Sequence, residues 1–435
     1  MKATEFSQTM VGVFIAHLIF ALVVLGMTLG LVAYLILLER KTAAWIQDRI
    51  GPNRVGPRGL LQPLADGVKF ILKEEFVPAN ADRILFLLAP IIIIAPALCG
   101  FAVIPWGGVL AAGAGLPHWL GGWTFPQNFH VMVANPQIGV LFVIVMASLS
   151  VYGVVLGGWA SGSKYSFLGG LRATAQMISY EIPLVLSLLS VAVVAGTLRL
   201  EPIIAGQASY FSTVGFLPAW NVFIQPTAFV LFVTCIFAEA NRTPFDLAEC
   251  EQELVGGYHT EYSSMKFAMF FLAEYSAMIT GAAVAVALFL GGWHLPWIDQ
   301  LIYRGPQPAV TGWAGIILKF IVFWGKVILF LFFYMWVRWT LPRFRFDQLM
   351  NLAWRGLIPL SLGTFILAAV FVYLRREGIL ADRVWLLLGN IGLLAGAIVF
   401  NYMFPSPTSN RRTPVRHSRY NPAPPAGSTQ TVAPV

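Results

Sequence analysis

FAEANRTPFDLAECEQELVGGYHTEY, residues 237–262, begins as the end of an apolar run and turns at once into a string of acids. Glu239, Asp246, Glu249, Glu251, Glu253 and Glu261 all fall within it, in a chain of 435 residues that has only 20 acidic ones. Carboxylates beside hydrocarbon are costly, so a cluster of them there marks a working site. The stretch points to a membrane protein that handles protons, or a redox carrier that takes up protons, at the membrane's edge.

The rest of the chain supplies the membrane. It is 58% hydrophobic and 11% charged, with a mean hydropathy of +0.74, which excludes a soluble domain. Nine apolar segments have roughly spanning length: 11–38, 84–104, 137–157, 177–197, 222–239, 265–292, 312–337, 357–374 and 384–404. The first is too long for the core of a signal peptide. Backbone in lipid must satisfy its own hydrogen bonds, which excludes open sheets. The expected fold is all-α and polytopic: nine transmembrane helices in a single domain, residues 1–404.

The net charge of +8 does not indicate nucleic acid, because the charges are sorted by loop. Loop 39–83 carries eight cations (Arg40, Lys41, Arg49, Arg54, Arg58, Lys69, Lys73 and Arg83), and loop 105–136 has no Lys, Arg, Asp or Glu. The positive-inside rule then puts the first loop in the cytoplasm, the N-terminus outside and the C-terminus inside a cell membrane, with Arg375, Arg376 and Arg383 as dissenters. Cys99, Cys235 and Cys250 form no CxxC pair, and the six histidines show no helical pairing, so neither a metal nor a redox centre is expected in this chain.

Within the first loop, Leu60, Leu61, Leu64, Val68, Ile71 and Leu72 recur at helical spacing opposite Gln62, Asp66, Lys69, Lys73 and Glu74. This predicts an amphipathic helix lying in the interface. The preceding GPNRVGPRG is a turn and lacks the pattern of a phosphate-binding loop. Loop 105–136, rich in Gly, Pro and Trp, reads as an outer lid. From Pro405 to residue 435, four arginines among many prolines predict a disordered cytoplasmic tail able to touch anionic lipid.

Topology places the intramembrane charges by depth. Glu181 is expected one turn inside the fourth helix, Glu239 near the same surface, and Glu274 about 14 Å deep in the sixth. Three helices thus put carboxylates in one half of the membrane. Lys326 lies near the middle of the seventh helix and carries the series further, with Lys319 two turns nearer the outside. The plainer alternative is that these acids pair with Lys266, Lys326 or Arg172 to fix helix packing. Burial and like-charged neighbours favour proton uptake by such groups, as a relay requires. Arg40, Arg49, Arg54 and Arg58 either line a mouth for an amphipathic molecule or simply anchor the loop to headgroups.

Four blocks carry a resemblance: LERKTAAWIQDRIGPNRVGPRGLLQPLADGVKFILKEE at 37–75, QMISYE at 176–181, residues 237–262 with FFLAEY at 270–275, and RFRFDQLMNLAW at 343–354. Together they resemble one membrane component of proton-pumping NADH:quinone oxidoreductase, respiratory complex I, known as the H subunit in bacteria and as subunit 1 in mitochondria. The similarity runs from about residue 11 to 375. It implies an eight-helix family core, here with a ninth helix, and Ser264 stands where glycine is expected.

The resemblance also implies roles. Arg40, Gln47, Arg49, Asp66 and Lys69, with Arg242, Asp246, Arg343, Arg345 and Asp347, would line or support a chamber for the quinone substrate. Glu249, Glu251, Glu253 and Glu261 would form the acidic loop beside it. Glu181, Glu239 and Glu274 would begin the charged route towards antiporter-like subunits. The chain would bind no cofactor of its own; iron–sulfur clusters and FMN would belong to partner subunits, among them a hydrophilic quinone-docking subunit, an iron–sulfur subunit and small membrane subunits. Other readings are the homologous subunit of a membrane-bound hydrogenase and a free-standing proton-coupled transporter. The latter predicts an inverted repeat, which the sequence does not display.

Overall fold

The computed structural model describes residues 10–110, 129–210, 217–246, 255–296, 310–379 and 382–403. The chain divides into two compact units, Met1–Leu394 and Ala395–Val435, and the site described below lies in the first. The expected tail from Pro405, together with Glu249, Glu251 and Glu253, lies outside the described residues.

Apolar runs become helices because a chain in hydrocarbon has to bond its own backbone. The first five are α1 (Met10–Ile46), α2 (Gln62–Leu72), α3 (Arg83–Cys99), α4 (Gly139–Ala160) and α5 (Lys164–Ala195). Two short helices follow, α6 (Leu200–Gly206) and α7 (Asn221–Ile224), and then α8 (Pro226–Glu239), α9 (Ser264–Leu288) and α10 (Trp313–Thr340). The last are α11 (Phe346–Asn351), α12 (Ile358–Arg376) and α13 (Val384–Met403). A π-helical stretch, Leu352–Leu357, joins α11 to α12.

Among the described residues, seven helices are long and apolar enough to cross a membrane. The other two predicted spans correspond to shorter apolar helices, Pro226–Glu239 and Val384–Val399. The chain is therefore a helical, multi-pass membrane protein. Large apolar side chains such as Ile84, Leu329 and Trp336 are exposed on its helices, as lipid-facing positions should be.

Two elements depart from expectation. The segment predicted at 222–239 is broken at Gln225, because Pro226 has no N–H to continue a helix and holds Gln225 out of the α region. The helix predicted to begin at 177 starts at Lys164. Residues 164–176 are too polar to register as a span, yet contain no proline to stop a helix. Glu181 consequently lies about 25 Å along α5, several turns in rather than one.

Alternate helix ends meet. The Asp82 N–H before α3 donates to Ala160 O at the end of α4 (3.1 Å), and the Val140 N–H at the start of α4 donates to Leu198 O after α5 (2.9 Å). α3 and α4 are in close contact because a Cβ on Gly153 would lie 2.7 Å from Ile93 Cβ, the use of glycine typical of membrane helix pairs. At one end of the unit, three two-residue strands form a small sheet in the order β2–β1–β3: β1 (Val109–Leu110), β2 (Phe129–His130) and β3 (Val310–Thr311). β1 is antiparallel to β2 and parallel to β3, so the connections after α3 and after α9 are tied together there. Nothing in the hydropathy pattern signals this sheet. The opposite end carries most of the candidate residues.

Candidate functional site

The centre of the charged end is an ionic knot that gathers four separate segments. Glu39 lies near the end of α1 and is 7% exposed. Its Oε2 accepts a hydrogen bond from the Tyr275 hydroxyl of α9 at 2.6 Å. Its Oε1 meets the Arg242 guanidinium at 3.6 Å and is in direct ionic contact with Arg338 of α10. Arg242 also faces Glu274 Oε2 at 3.9 Å and lies over the Tyr275 ring, 4.2 Å from its centroid. Two cations balance two carboxylates, so burying the set leaves no uncompensated charge.

Arg242 is held by the turn that follows α8. Asn241 takes φ = 47°, a left-handed conformation that asparagine tolerates better than most residues. Gln176, fully buried in α5, pins the turn: its Nε2 donates to Ala238 O (2.9 Å) and Phe245 O (2.8 Å) and approaches Asn241 Oδ1 (3.2 Å). Tyr180, one turn further along α5, packs on Phe245 and donates to Leu349 O of α11 at 3.0 Å. The QMISYE block thus fixes the position of this turn.

Around the knot lies a more exposed ring of candidates. Arg40 pairs with Asp66 at 2.7 Å, joining α1 to α2, and Gln62 donates to the same carboxylate at 3.0 Å. Arg343 pairs with Asp246 at 2.9 Å, joining the segments after α10 and α8, and the Phe344 N–H donates to Pro244 O at 3.2 Å. Arg49 Nε donates to Gln47 Oε1 at 2.8 Å, and Lys69 is exposed in the last turn of α2. Arg345 precedes α11, where its N–H is capped by Gln348 Oε1 at 3.1 Å, and Asp347 sits in the first turn, where a helix favours an anion. Glu261 is half-buried in the segment before α9. In the same segment Tyr262 stacks on Phe86 at 4.1 Å, and burial pushes its phenol well above the usual range.

Behind the knot, Glu239 and Glu274 share a cavity of about 80 Å³ between α3, α4, α5, α8 and α9. Glu239 and Glu274 are in its wall, together with Ser150, Asn241 and Thr280, and the remaining lining is largely apolar. That volume has room for several waters at about 10–15 Å³ each, enough for a hydrogen-bonded chain. Glu181 accepts a short hydrogen bond from Ser148 of α4, next to this wall.

Lys326 is placed differently. Its Nζ donates to Leu290 O (2.7 Å) and His294 O (2.6 Å) beyond the C-terminus of α9 and lies 4.3 Å from the Trp220 ring centroid, so it belongs to the sheet end. Lys266, considered above as a packing partner for the acids, binds Glu75 at 2.6 Å.

Three members of the knot were missed by sequence reasoning: Glu39, Tyr275 and Arg338. Signals existed for each. Glu39 follows an unbroken apolar run, Tyr275 adjoins Glu274, and Arg338 is a cation within the last turn of an apolar span.

Comparison with known proteins fits this arrangement. Residues 19–369 match the model of the family described as NADH dehydrogenase. The chain is 47% identical over 349 residues to the H subunit of NADH-quinone oxidoreductase from Leptospira biflexa, covering 80% of this chain and 92% of the relative. It is 46% identical over 336 residues to the first H subunit of the same enzyme from Cytophaga hutchinsonii, covering 77% and 90%. With the first H subunit from Geobacter sulfurreducens it is 47% identical over 355 residues, covering 81% and 94%. The match spans α1 to α12 and includes every member of the knot, and the chain belongs to the NADH dehydrogenase family of NADH-quinone oxidoreductase H subunits.

Proposed function

We propose that the charged end of this protein forms the membrane side of the quinone chamber, and that Arg242 links that chamber to the carboxylates inside the membrane. The observation that carries the reading is the double engagement of Arg242, which faces Glu39 at 3.6 Å and Glu274 at 3.9 Å. Glu39 adjoins Arg40 in the exposed ring, and Glu274 borders the cavity shared with Glu239.

The exposed ring, Arg40, Gln47, Arg49, Asp66, Lys69, Asp246, Arg343, Arg345 and Asp347, faces the quinone headgroup or the hydrophilic partner that closes the chamber. α2 lies at the membrane surface. Its exposed Leu64, Val68 and Ile71 contact lipid, and the quinone tail passes alongside. Electrons arrive from an iron–sulfur cluster of a partner. Two electrons and two protons convert the quinone to its quinol, and the charge in the chamber changes on the way. A unit charge about 4 Å from a carboxylate is worth about 4 kcal/mol at an effective dielectric near 20, enough to redistribute protons among neighbouring acids. Glu249, Glu251, Glu253 and Glu261 receive that change first. Glu239, Glu274 and Glu181 then pass it on as proton movement through the cavity, and the series of charges ends at Lys326.

The test uses assembled complex in membranes, with its composition verified by mass spectrometry. Arg49→Ala should lower inhibitor-sensitive NADH:quinone reductase activity. Glu274→Gln should lower proton translocation per electron pair more than it lowers quinone reduction by uncoupled membranes. Full coupled turnover in both variants would remove the chamber and the route together.

A further inference from the structure

The cavity shared by Glu239 and Glu274 has an inner end, away from the knot. Along α8, Phe232, Ile236 and Glu239 recur at helical spacing in its wall, and along α9 so do Glu274, Ala277 and Gly281. Ile236 lies about 4.5 Å along α8 from Glu239, and Gly281 about 10 Å along α9 from Glu274, both in the direction of the sheet end.

Tyr334 of α10 packs against this inner end. The residue is 2% exposed, and its ring lies on Phe237 of α8 with centroids 4.1 Å apart. Its hydroxyl is set between α8 and α9: a Cβ built on Gly281 would lie 3.6 Å from the Tyr334 oxygen and 3.6 Å from Ile236 Cβ. Gly281 and Ile236 both line the cavity, and with glycine at 281 no side chain from that position covers the oxygen. Among the described residues the Tyr334 hydroxyl has no hydrogen-bond partner in the protein, and neither has Oγ1 of Thr280, another residue of the wall. A buried hydroxyl left unbonded is costly. Water is the partner that the geometry allows, because the cavity has room for several molecules and two hydroxyls stand at its inner end.

We propose that the Tyr334 hydroxyl anchors the innermost water of the cavity and, by orienting it, sets the rate of proton exchange with Glu239. The phenol keeps its own proton and donates its hydrogen bond to the water oxygen. Both protons of that water are then free to bond Thr280 Oγ1 and the next water on the way to Glu239. Tyr334 is a positioning residue, acting on the carboxylate through water. The inference deepens the proton route proposed above and rests on it.

The experiment compares Tyr334→Phe, Gly281→Ala and the double variant, with Glu239→Gln beside them, as intact complex in proteoliposomes. Tyr334→Phe removes only the oxygen. Gly281→Ala keeps the oxygen and places a methyl group in front of it at an ordinary contact distance, so it breaks the same hydrogen bond without overpacking. Each single variant should slow proton translocation roughly fivefold, the factor that corresponds to one ordinary hydrogen bond, and raise its solvent deuterium isotope effect. The double variant should be no slower than either single one, since both changes act on one water. The temperature at which Gly281→Ala is released from the complex should not fall, which a packing defect would require. Wild-type translocation in either assembled single variant overturns the proposal, and so does an additive loss in the double variant. If Tyr334→Phe fails to assemble, Gly281→Ala decides by its rate and isotope effect. Slow translocation in Glu239→Gln with wild-type rates in the other variants leaves the route standing and removes only the water anchor. A wild-type rate in Glu239→Gln removes the route, and the anchor with it.

Discussion

The Tyr275 hydroxyl donates to Glu39 Oε2 at 2.6 Å, joining residues 236 positions apart in sequence. The same ring lies under Arg242, so one side chain fixes both the acid and one of its cations. Tyr275→Phe keeps the ring and removes only the hydroxyl. Hydrogen bonds to charged groups are worth about 1.5–3 kcal/mol, and the complex should lose that order of stability. Stepwise heating followed by native electrophoresis should show this protein released at lower temperature, with quinone reductase activity reduced and not abolished. An unchanged release temperature would mean that the two guanidiniums hold Glu39 unaided.

The knot also predicts an asymmetry between its members. Glu39→Gln leaves Arg242 and Arg338 facing each other with one buried carboxylate, Glu274, close to the pair. Removing one partner of a buried ion pair costs about 3–5 kcal/mol. Arg338→Met removes a cation whose side chain is 30% exposed, and Arg242 remains beside Glu39. Glu39→Gln should therefore reduce complex abundance and activity several-fold more than Arg338→Met. Quantitative mass spectrometry of the membrane fraction, with reductase activity per complex, checks the order. The reverse order would make Arg338 the organising charge.

How much of this was legible from the sequence depended on the distance between cause and effect along the chain. The spans and the sorting of charge by loop are local properties, and hydropathy reads them directly. The early start of α5 at Lys164 was hidden because residues 164–176 are polar enough to look like a loop, and this displaced Glu181 by several turns. The break at Gln225 was signalled by Pro226, but the surrounding hydropathy masked it. Glu39 was overlooked because its neighbours in sequence are the loop cations, whereas Tyr275 and Arg338 come from α9 and α10. The depth of Lys326 in α10 is visible in the sequence, but its carbonyl partners after α9 are not.

Gly169 sets the position of the acidic loop's far end. A Cβ there would lie 2.6 Å from Gly257 Cα and 2.8 Å from Tyr258 N, so α5 and the segment before α9 touch backbone to backbone. Nearby, the Ser166 hydroxyl reaches Gly257 O at 3.3 Å. Gly169→Ala must push the two apart, and overpacking of this kind costs about 1–3 kcal/mol. The displaced segment carries Glu261 and buried Tyr258 and Tyr262. Thermal inactivation should occur at lower temperature, and the apparent KM for quinone should rise more than kcat falls. If kinetics and stability are both unchanged, the loop accommodates a methyl group and Gly169 carries no positional role.

Ser264 combines a cost and a gain that two substitutions can separate. Its φ of 55° is left-handed, a conformation that costs a non-glycine residue about 1–2 kcal/mol. In return its hydroxyl donates towards Phe70 O (2.8 Å) and Lys73 O (2.9 Å), binding the end of α2 to the start of α9. Ser263 Oγ accepts from the Phe76 N–H at 3.2 Å, and Lys266 holds Glu75 at 2.6 Å, so the clamp has three parts. Ser264→Ala keeps the strain and loses the hydroxyl, for a net loss of about 1 kcal/mol. Ser264→Gly loses the hydroxyl but relieves the strain, and should lie close to wild type. The expected order of stability is therefore serine about equal to glycine, with alanine lowest. Limited proteolysis at Lys69 and Lys73 reports release of α2 directly, and alanine should be cut fastest. Equal cutting of the alanine and glycine variants would remove strain from the account. Cutting of both at the wild-type rate would show that the Lys266–Glu75 pair and Ser263 hold α2 without the Ser264 hydroxyl.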